Sequence, residues 1–255
     1  MGRVIAIANQ KGGVGKTTTV INLGAALAER GHSVLLLDLD PQAALTASSG
    51  LDPYNLTPTT FSMLTRGDLP LREIVRPVEE RIWIAPASVD LAAAEYMLAS
   101  RADRTHCLRR ALHNGRDEVD FTLIDTPPSL SLLTINALTA ADELLLPVEC
   151  RYLAMRGVRA LLDTVWKVHD RLHPALRLLG VLPTRFVPGS AHSEEVVREL
   201  RSVFAGWVFE TVIVEDEALA MAPVARQSVL AYRPDGPAAA AFRSLAQEVA
   251  DGRAG

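Results

Sequence analysis

Short apolar runs alternate along the chain with stretches of helical periodicity. Apolar runs of about five residues indicate buried strands, and apolar positions three and four residues apart indicate helices that pack on a sheet. This alternation predicts an α/β fold with a doubly wound, mostly parallel sheet flanked by helices. We expect strands at residues 4–8, 33–38, 82–84, 121–125, 143–147, 178–182 and 208–213. We expect helices at residues 16–30, 91–100, 104–114, 154–172, 193–204 and 238–249.

Boundary residues support this division of the chain. Gly31 follows the last apolar position of the first predicted helix and is placed as its C-terminal stop. Residues 41–58 are rich in Ser, Thr, Pro and Ala, which predicts a loop with a short helix. Because no repeat, low-complexity tract or linker interrupts the pattern, we expect residues 1–255 to form a single domain.

Composition limits the function classes. The 255 residues are 49% hydrophobic and 22% charged, as in ordinary globular proteins, and the net charge of −4 confines any nucleic-acid contact to a local patch. Cys107 and Cys150 form no C-x-x-C pair, which argues against zinc or an Fe–S cluster and fits a reducing cytoplasm. Arg3 and Lys11 break the first apolar run, so we expect no signal peptide and a cytoplasmic protein without membrane contact.

The strongest chemical signal is the segment KGGVGKTT at residues 11–18, directly after the first apolar run. Its glycines allow the backbone to curl so that several N–H groups point at one anion, and the following helix adds the positive end of its dipole. Lys16 can then reach the β- and γ-phosphates of a nucleotide, and the Thr17 hydroxyl can bind Mg²⁺. The general phosphate-loop pattern has glycine where this chain has Gln10, and Lys11 supplies an additional lysine.

Three aspartates follow apolar runs. Asp38 and Asp40 end the second predicted strand, and Asp125 ends a later one. The carboxyl ends of parallel strands lie at one edge of the sheet, where ligands bind in this class of fold. One such aspartate is commonly an N-cap or a turn residue, but three beside a phosphate loop predict a site for Mg²⁺ and its water shell.

These segments together resemble the deviant Walker A, switch I and Walker B–switch II motifs of the ParA/MinD-type ATPases. The resemblance covers nearly the whole chain and is strongest to the short, Soj-like partition proteins, so we expect no N-terminal DNA-reading domain. It implies slow, partner-stimulated hydrolysis of ATP, with ATP and Mg²⁺ as cofactors. It also implies a homodimer that forms on ATP binding and separates after hydrolysis, and a stimulating partner that is ParB-like or a cargo adaptor.

The resemblance assigns a role to each motif residue. Lys11 reaches across an ATP-sandwiched dimer to the partner's phosphates, and Asp40 positions the hydrolytic water. The implied catalytic residues are Lys11, Lys16 and Asp40. The implied Mg²⁺ residues are Thr17, Asp38 and Asp125, of which Asp125 acts through water. The residues implied to contact the nucleotide are Gly12, Gly13, Val14, Gly15, Lys16, Thr17, Thr18, Pro127, Thr184 and Arg185.

Two segments depart from the Soj-like pattern. Residues 214–218 (VEDEA) stand where a Pro-Arg-Asn-x-Arg segment is expected, and residues 186–190 around Gly189 replace a Tyr-Asp-x-Arg-Thr segment. The arginines implicated in non-specific DNA binding are therefore missing, and acidic side chains repel phosphates. Either the protein positions a cargo on a matrix other than DNA, or another basic patch binds the nucleoid. The candidates for that patch are Arg151, Arg156, Arg159, Lys167, Arg171, Arg177, Arg226 and Arg233.

Other functions on the same scaffold stay open. An ATP-dependent small-molecule ligase of the dethiobiotin or cobyrinic-acid type shares the phosphate loop, but it needs further convergent polar residues that the sequence does not identify. A reductase related to the nitrogenase iron protein needs glycine-flanked cysteines, which this chain lacks. The last predicted helix is alanine-rich with a single internal arginine, which favours docking on the sheet over binding to a membrane.

Overall fold

Seven strands form one sheet in the computed structural model, which describes residues 2–66, 69–113, 115–151 and 154–252, with the side chains of 154–161 left aside. The strands are β1 (Arg3–Ile7), β2 (Val34–Asp38), β3 (Arg76–Glu79), β4 (Ile82–Ala85), β5 (Phe121–Asp125), β6 (Glu143–Glu149) and β7 (Arg177–Thr184). Their order is β3-β4-β2-β5-β1-β6-β7, and every neighbouring pair is parallel except β3–β4 at the edge. The predicted mostly parallel α/β fold is confirmed.

Helices cover both faces of this sheet. Those in the described residues are α1 (Lys16–Glu29), α2 (Ala44–Ser48), α3 (Thr60–Arg66), α4 (Leu71–Ile74), α5 (Leu91–Ala99), α6 (Cys107–Leu112), α7 (Leu132–Ala140), α8 (Ala154–Arg171), α9 (Ala191–Val203), α10 (Ala218–Val224), α11 (Val229–Tyr232) and α12 (Pro237–Ala250). A 3₁₀ turn spans Arg116–Glu118. No helix in these ranges is both long and apolar enough to cross a membrane.

The central strands are apolar on both sides because each side is covered by helices. In β1, Ile5 and Ile7 pack with α1, α10, α11 and α12, whereas Val4 and Ala6 pack into the cluster on the opposite face. This alternation follows from the two-residue period of a strand. A parallel sheet that is covered on both faces gives the near-continuous apolar runs seen in the sequence.

Most predicted helices and strands begin and end within two residues of the observed bounds. Gly31 has a φ of 92°, which supports its place at the end of α1. The helix predicted at 104–114 is shorter, because α6 spans Cys107–Leu112, and residue 114 lies outside the described residues. The elements β3, α3, α4, α7, α10 and α11 were not predicted. Helix α7 is buried almost throughout, so it carries little of the apolar–polar period that reveals a helix.

The strand predicted at 208–213 is wrong. This segment lies beside β7, but only isolated bridges join it to the sheet, at Val181–Val208 and Phe186–Val214. Two features interrupt regular pairing: Pro183 of β7 has no N–H to donate, and the N–H groups of Glu210 and Thr211 donate to the Glu248 carboxylate of α12, at 3.0 and 2.9 Å. The side chain of a distant helix thus takes the place of a strand partner.

We predict that Glu248→Ala lowers the free energy of unfolding by about 1–3 kcal/mol, because two backbone N–H groups lose a charged acceptor. The change is measured by urea denaturation at neutral pH. Glu199→Ala, at an exposed position of α9, is the control and should leave the urea midpoint unchanged. Equal midpoints for the Glu248→Ala variant and the wild type would show that water replaces this carboxylate at no cost.

Candidate functional site

A glycine loop joins β1 to α1 at the carboxyl edge of the sheet. Gly13 and Gly15 have φ values of 73° and 94°, in the left-handed region that favours glycine. The backbone N–H and the hydroxyl of Thr19 both donate to the carbonyl of Gly15, at 2.8 and 2.7 Å, so the helix begins directly at the loop. The amino end of α1 is therefore available to an anion held in the loop.

The loop forms one wall of a cavity of about 450 Å³. Segment 213–220 forms the facing wall, with apolar side chains such as Ile213 and Leu219 beside the acidic Glu215 and Asp216. Of the predicted nucleotide contacts, those that line the cavity are Gly12, Gly13, Gly15, Lys16, Thr17, Thr18, Thr184 and Arg185. Val14 and Pro127 are buried instead, and Pro128 lines the cavity beside the loop.

Lys16 extends back over the loop. Its ammonium group donates to the carbonyl of Lys11 at 3.4 Å, and the residue is only 7% exposed. Burial lowers the pKa of Lys16, whereas the nearby carboxylates of Asp125 and Asp40 raise it. A buried lysine in this position gains strongly from an anion in the cavity, since few water molecules screen its charge.

Thr17 and Asp125 meet below the loop. The Thr17 hydroxyl donates to Oδ2 of Asp125 at 2.6 Å, and Asp125 is fully buried. Its other oxygen, Oδ1, has no hydrogen-bond partner in the described part of the chain. A buried carboxylate oxygen without a partner, beside a hydroxyl, fits a site for a hard divalent cation or for a water molecule bound to one.

Asp38 stands beside Asp125 in the register of β2 with β5. Both of its oxygens are already used: Oδ1 accepts from the N–H of Asp40 at 3.0 Å, and Oδ2 accepts from the N–H and the hydroxyl of Thr46, at 2.9 and 2.7 Å. Burial raises the pKa of Asp38 to about 6. The geometry therefore fits a supporting role, in which Asp38 shapes the segment that carries Asp40.

Asp40 lies at the same edge of the sheet, at the rim of the cavity. It is 9% exposed and lines the cavity, and its Oδ1 accepts from the N–H of Gln42 at 2.9 Å. Burial, together with the charges of Asp38 and Asp40, raises the pKa of Asp125 well above its usual range. The structure thus brings all three predicted aspartates together at the phosphate loop.

Comparisons with known proteins agree with this geometry. A family profile described as "AAA domain" matches residues 2–178. The sporulation initiation inhibitor protein Soj of Bacillus subtilis is 40% identical over 251 residues, which cover 98% of this chain and 99% of that protein. The chain belongs to the ParA/MinD family of ATPases.

Two solved structures with bound ADP and magnesium have a fold similar to that of this chain. Cobyrinic acid a,c-diamide synthase from Mycobacterium smegmatis, with bound ADP and magnesium, superposes with a TM-score of 0.85 at 40% identity, over 97% of this chain and 93% of that one. The septum site-determining protein MinD from Pyrococcus horikoshii, complexed with Mg-ADP, superposes with a TM-score of 0.79 at 27% identity, over 98% and 96%.

The second lysine of the ParA/MinD loop has a partner within its own chain. The ammonium group of Lys11 lies 2.6 Å from Oε2 of Glu149, the last residue of β6. Glu149 was not predicted from the sequence. A signal was present, because Glu149 follows an apolar run just as Asp38 and Asp125 do. The shorter strand expected at 143–147 hid this signal.

The acidic residue Glu215, one of the departures from the Soj-like pattern, is paired with nearby arginines. Glu215 accepts a hydrogen bond from the Arg185 guanidinium at 2.7 Å and lies 3.8 Å from that of Arg151. The pKa of Glu215 is accordingly held below its usual value, chiefly by the bond to Arg185. Arg185 adopts a φ of 55°, unusual for a residue other than glycine. The acidic residue is therefore part of an ion-pair network at the cavity.

The burial of Asp38 and Asp125, together with repulsion between the neighbouring aspartates, gives a pH-dependent stability. Raised pKa values for Asp38 and Asp125 mean that the folded state binds protons more tightly than the unfolded chain. Stability without metal or nucleotide then falls as the pH rises from about 4, the unfolded value, through 6. We predict that Asp125→Asn, which keeps an acceptor for Thr17, raises the free energy of unfolding at pH 7.5 on the order of 1–2 kcal/mol.

This gain should shrink at pH 5, where the wild-type pair is already partly protonated. Urea denaturation without Mg²⁺ and nucleotide, at both pH values, measures it. Asp163→Asn, on the exposed side of α8, is the control and should change neither curve. An Asp125→Asn variant that is less stable than the wild type at pH 7.5, or a gain that does not depend on pH, would contradict this destabilising effect of the buried carboxylate.

Proposed function

We propose that the protein binds ATP with Mg²⁺ and works as a dimerising switch that partitions or positions a cargo. Its cycle would alternate between an ATP-bound dimer and an ADP-bound or nucleotide-free monomer. The observation that carries this proposal is the convergence of Lys16, the Thr17–Asp125 pair and Asp40 on one cavity at the phosphate loop. The bound ADP and magnesium of the two similar structures support it.

The nucleotide would lie along the cavity, from the glycine loop to segment 213–220. The loop N–H groups and Lys16 would bind the phosphates, and Thr18 and Thr184 line the path between the walls. The hydroxyl of Thr184 donates to the carbonyl of Val14 at 2.8 Å, which fastens the loop to β7. Apolar side chains of the facing wall are suited to a base.

The metal site would use the Thr17 hydroxyl and, through water, the free oxygen of Asp125. Asp38 would stand behind them as a support whose oxygens are held by the chain. When bound, Mg²⁺ would supply positive charge that neutralises the phosphates. No cluster of three or more metal-binding His, Cys, Asp or Glu side chains is found in the described residues, as fits a cation that also depends on phosphate and water.

Hydrolysis would depend on positioning and charge. Asp40, at the rim of the cavity, would orient the attacking water toward the terminal phosphate. Lys16 from the same chain and Lys11 from a second copy would stabilise the charge that develops on the phosphoryl group. Because one of these lysines comes from the partner, dimerisation and hydrolysis would be coupled events.

A second candidate is a small-molecule amide ligase on the same scaffold. The observation in its favour is the 40% identity to a protein named as a cobyrinic acid a,c-diamide synthase. The second lysine of the loop and the nearly full-length similarity to Soj favour the switch. ADP formation that requires an added metabolite would support the ligase, whereas slow turnover raised by a protein or by DNA would support the switch.

The nature of the matrix depends on the basic residues. Arg151 and Arg177 lie at opposite ends of the β6–β7 pair, so the candidates do not form one patch. Arg226 and Arg233 are exposed, and Arg233 lies 3.7 Å from Asp216 at the cavity wall. Exposed Lys167 and Arg171 lie on α8, whereas the side chains of Arg156 and Arg159 fall outside the described residues. We propose weak, non-specific DNA binding by these separated groups.

The switch is tested by light scattering with ATP at micromolar protein. We predict that Asp40→Ala binds ATP, does not hydrolyse it and accumulates as a dimer. Lys16→Ala should weaken the free energy of ATP binding by about 2–4 kcal/mol, because a buried charge contact disappears. Lys11→Ala should bind ATP but form no dimer. Asp90→Ala, at an exposed position before α5, is the control. If the Asp40→Ala variant stayed monomeric at saturating ATP, the proposed ATP-sandwiched dimer would be refuted.

The matrix is tested by titrating DNA of unrelated sequences with the Asp40→Ala dimer at several salt concentrations. We predict equal affinities for all sequences and a steep loss with salt, with roughly −0.9 in log–log slope for each phosphate neutralised. The ADP-bound monomer should bind DNA far more weakly, because the dimer presents two copies of a weakly binding surface. Salt-insensitive binding by the monomer would contradict this, and no binding by the dimer at low salt would indicate a protein matrix.

A further inference from the structure

An ion pair holds Lys11 beside its own nucleotide site. The ammonium group of Lys11 is 2.6 Å from Oε2 of Glu149. The Glu149 side chain is only 5% exposed, whereas that of Lys11 is 51% exposed. The carboxylate is thus a fixed, largely desolvated acceptor, and the lysine is a side chain that can leave it without disturbing the core.

The backbone places Lys11 in this position. Asn9, at the start of the loop, donates through Nδ2 to the carbonyl of Pro147 at 2.7 Å, and its Oδ1 accepts from the N–H of Lys11 at 3.0 Å. One asparagine side chain therefore binds the loop to β6, two residues before Glu149. The ion pair follows from this attachment and from the β1–β6 pairing, so it is built into the fold.

The charges around Glu149 show why Lys11 can be released. Arg151 and Arg185 also approach Oε1 of Glu149, at 3.0 and 3.7 Å, and both guanidinium groups approach Glu215, at 3.8 and 2.7 Å. Three cations therefore share two carboxylates. When Lys11 leaves, two arginines and two glutamates remain in balance. The buried carboxylate keeps its partners, so the large cost of an unpaired buried charge does not arise.

We propose that Glu149 is a positioning residue that holds Lys11 in the monomer and competes for it with the phosphates of a second copy. This inference rests on the proposed function, in which Lys11 acts across a dimer. The exchange replaces one ion pair with another, and the balance depends on the charge of the nucleotide. Glu149 would thereby set the protein concentration at which the ATP-bound dimer forms, without touching the nucleotide of its own chain.

The test compares Glu149→Gln with Glu143→Gln, both in the Asp40→Ala background. Glu143 is the matched control: it is the first residue of β6, is similarly buried and pairs with Arg3 at 2.7 Å, but lies at the opposite end of the strand. The dimer dissociation constant is measured with ATP by sedimentation. The affinity of the nucleotide-free monomer for ADP is measured by calorimetry, and the reactivity of Lys11 by amine labelling and mass spectrometry.

We expect Glu149→Gln to lower the dimer dissociation constant about fivefold, as for the loss of a partly exposed ion pair. Labelling of Lys11 in the nucleotide-free monomer should increase severalfold, and affinity for ADP should stay within about twofold, because Lys11 does not act on its own nucleotide. Glu143→Gln should change none of these. Should Glu149→Gln fold poorly, Glu149→Asp keeps the charge but is one methylene too short for Lys11, and it should shift labelling and dimerisation in the same direction.

An unchanged or weaker dimer in the Glu149 variants, with Lys11 labelled as in the wild type, would overturn the proposal. An equal gain in ADP affinity and dimerisation would also overturn it, by showing a general effect of charge. If the Asp40→Ala background stays monomeric with ATP, the dimer switch itself is wrong, and the competition is refuted with it. A dimer that forms in Asp40→Ala but does not respond to the Glu149 variants refutes the competition alone.

Discussion

Buried negative charge at the carboxyl edge of the sheet is the constraint on which the site depends. Asp38 and Asp125 are fully inaccessible, and Asp40 is nearly so. The protein supplies backbone and hydroxyl donors to Asp38, but it leaves one oxygen of Asp125 without a partner in the described residues. Such an arrangement costs stability in the absence of a cation, and it is relieved when positive charge arrives with the nucleotide.

The register of the parallel strands places these carboxylates side by side. Asp125 pairs with Ile7 of β1 on one side and with Asp38 of β2 on the other. The phosphate loop follows β1, so the loop, Asp125 and Asp38 stand on three adjacent strands. Short connections from β1 to α1 and from β2 to Asp40 leave little freedom in their relative positions. The chemistry therefore lies at the point where the strand order reverses, as in other doubly wound folds.

Much of this arrangement could be predicted from the sequence, because buried strands and glycine loops leave strong local signals. The phosphate loop, Asp38, Asp40 and Asp125 are all found at the cavity or directly behind it. What failed depended on contacts distant in the chain. The segment at 208–213 has strand composition, but Glu248 and Pro183 prevent regular pairing. Helix α7 is too buried to show a period, and no local pattern indicates that Glu149 holds Lys11.

The acidic segment at 214–218 has a different environment from the one that its composition suggests. From sequence alone, Glu215 suggests repulsion of an anionic matrix, since it stands where the Soj-like pattern has arginine. In the structure its charge is taken up by Arg185 and Arg151, which join it to Glu149 and to the loop lysine. The charge of Glu215 is therefore neutralised locally, by arginines that lie just beyond the ends of β6 and β7. Glu215 and Lys11 thus belong to one network of five side chains, which also includes Glu149, Arg151 and Arg185.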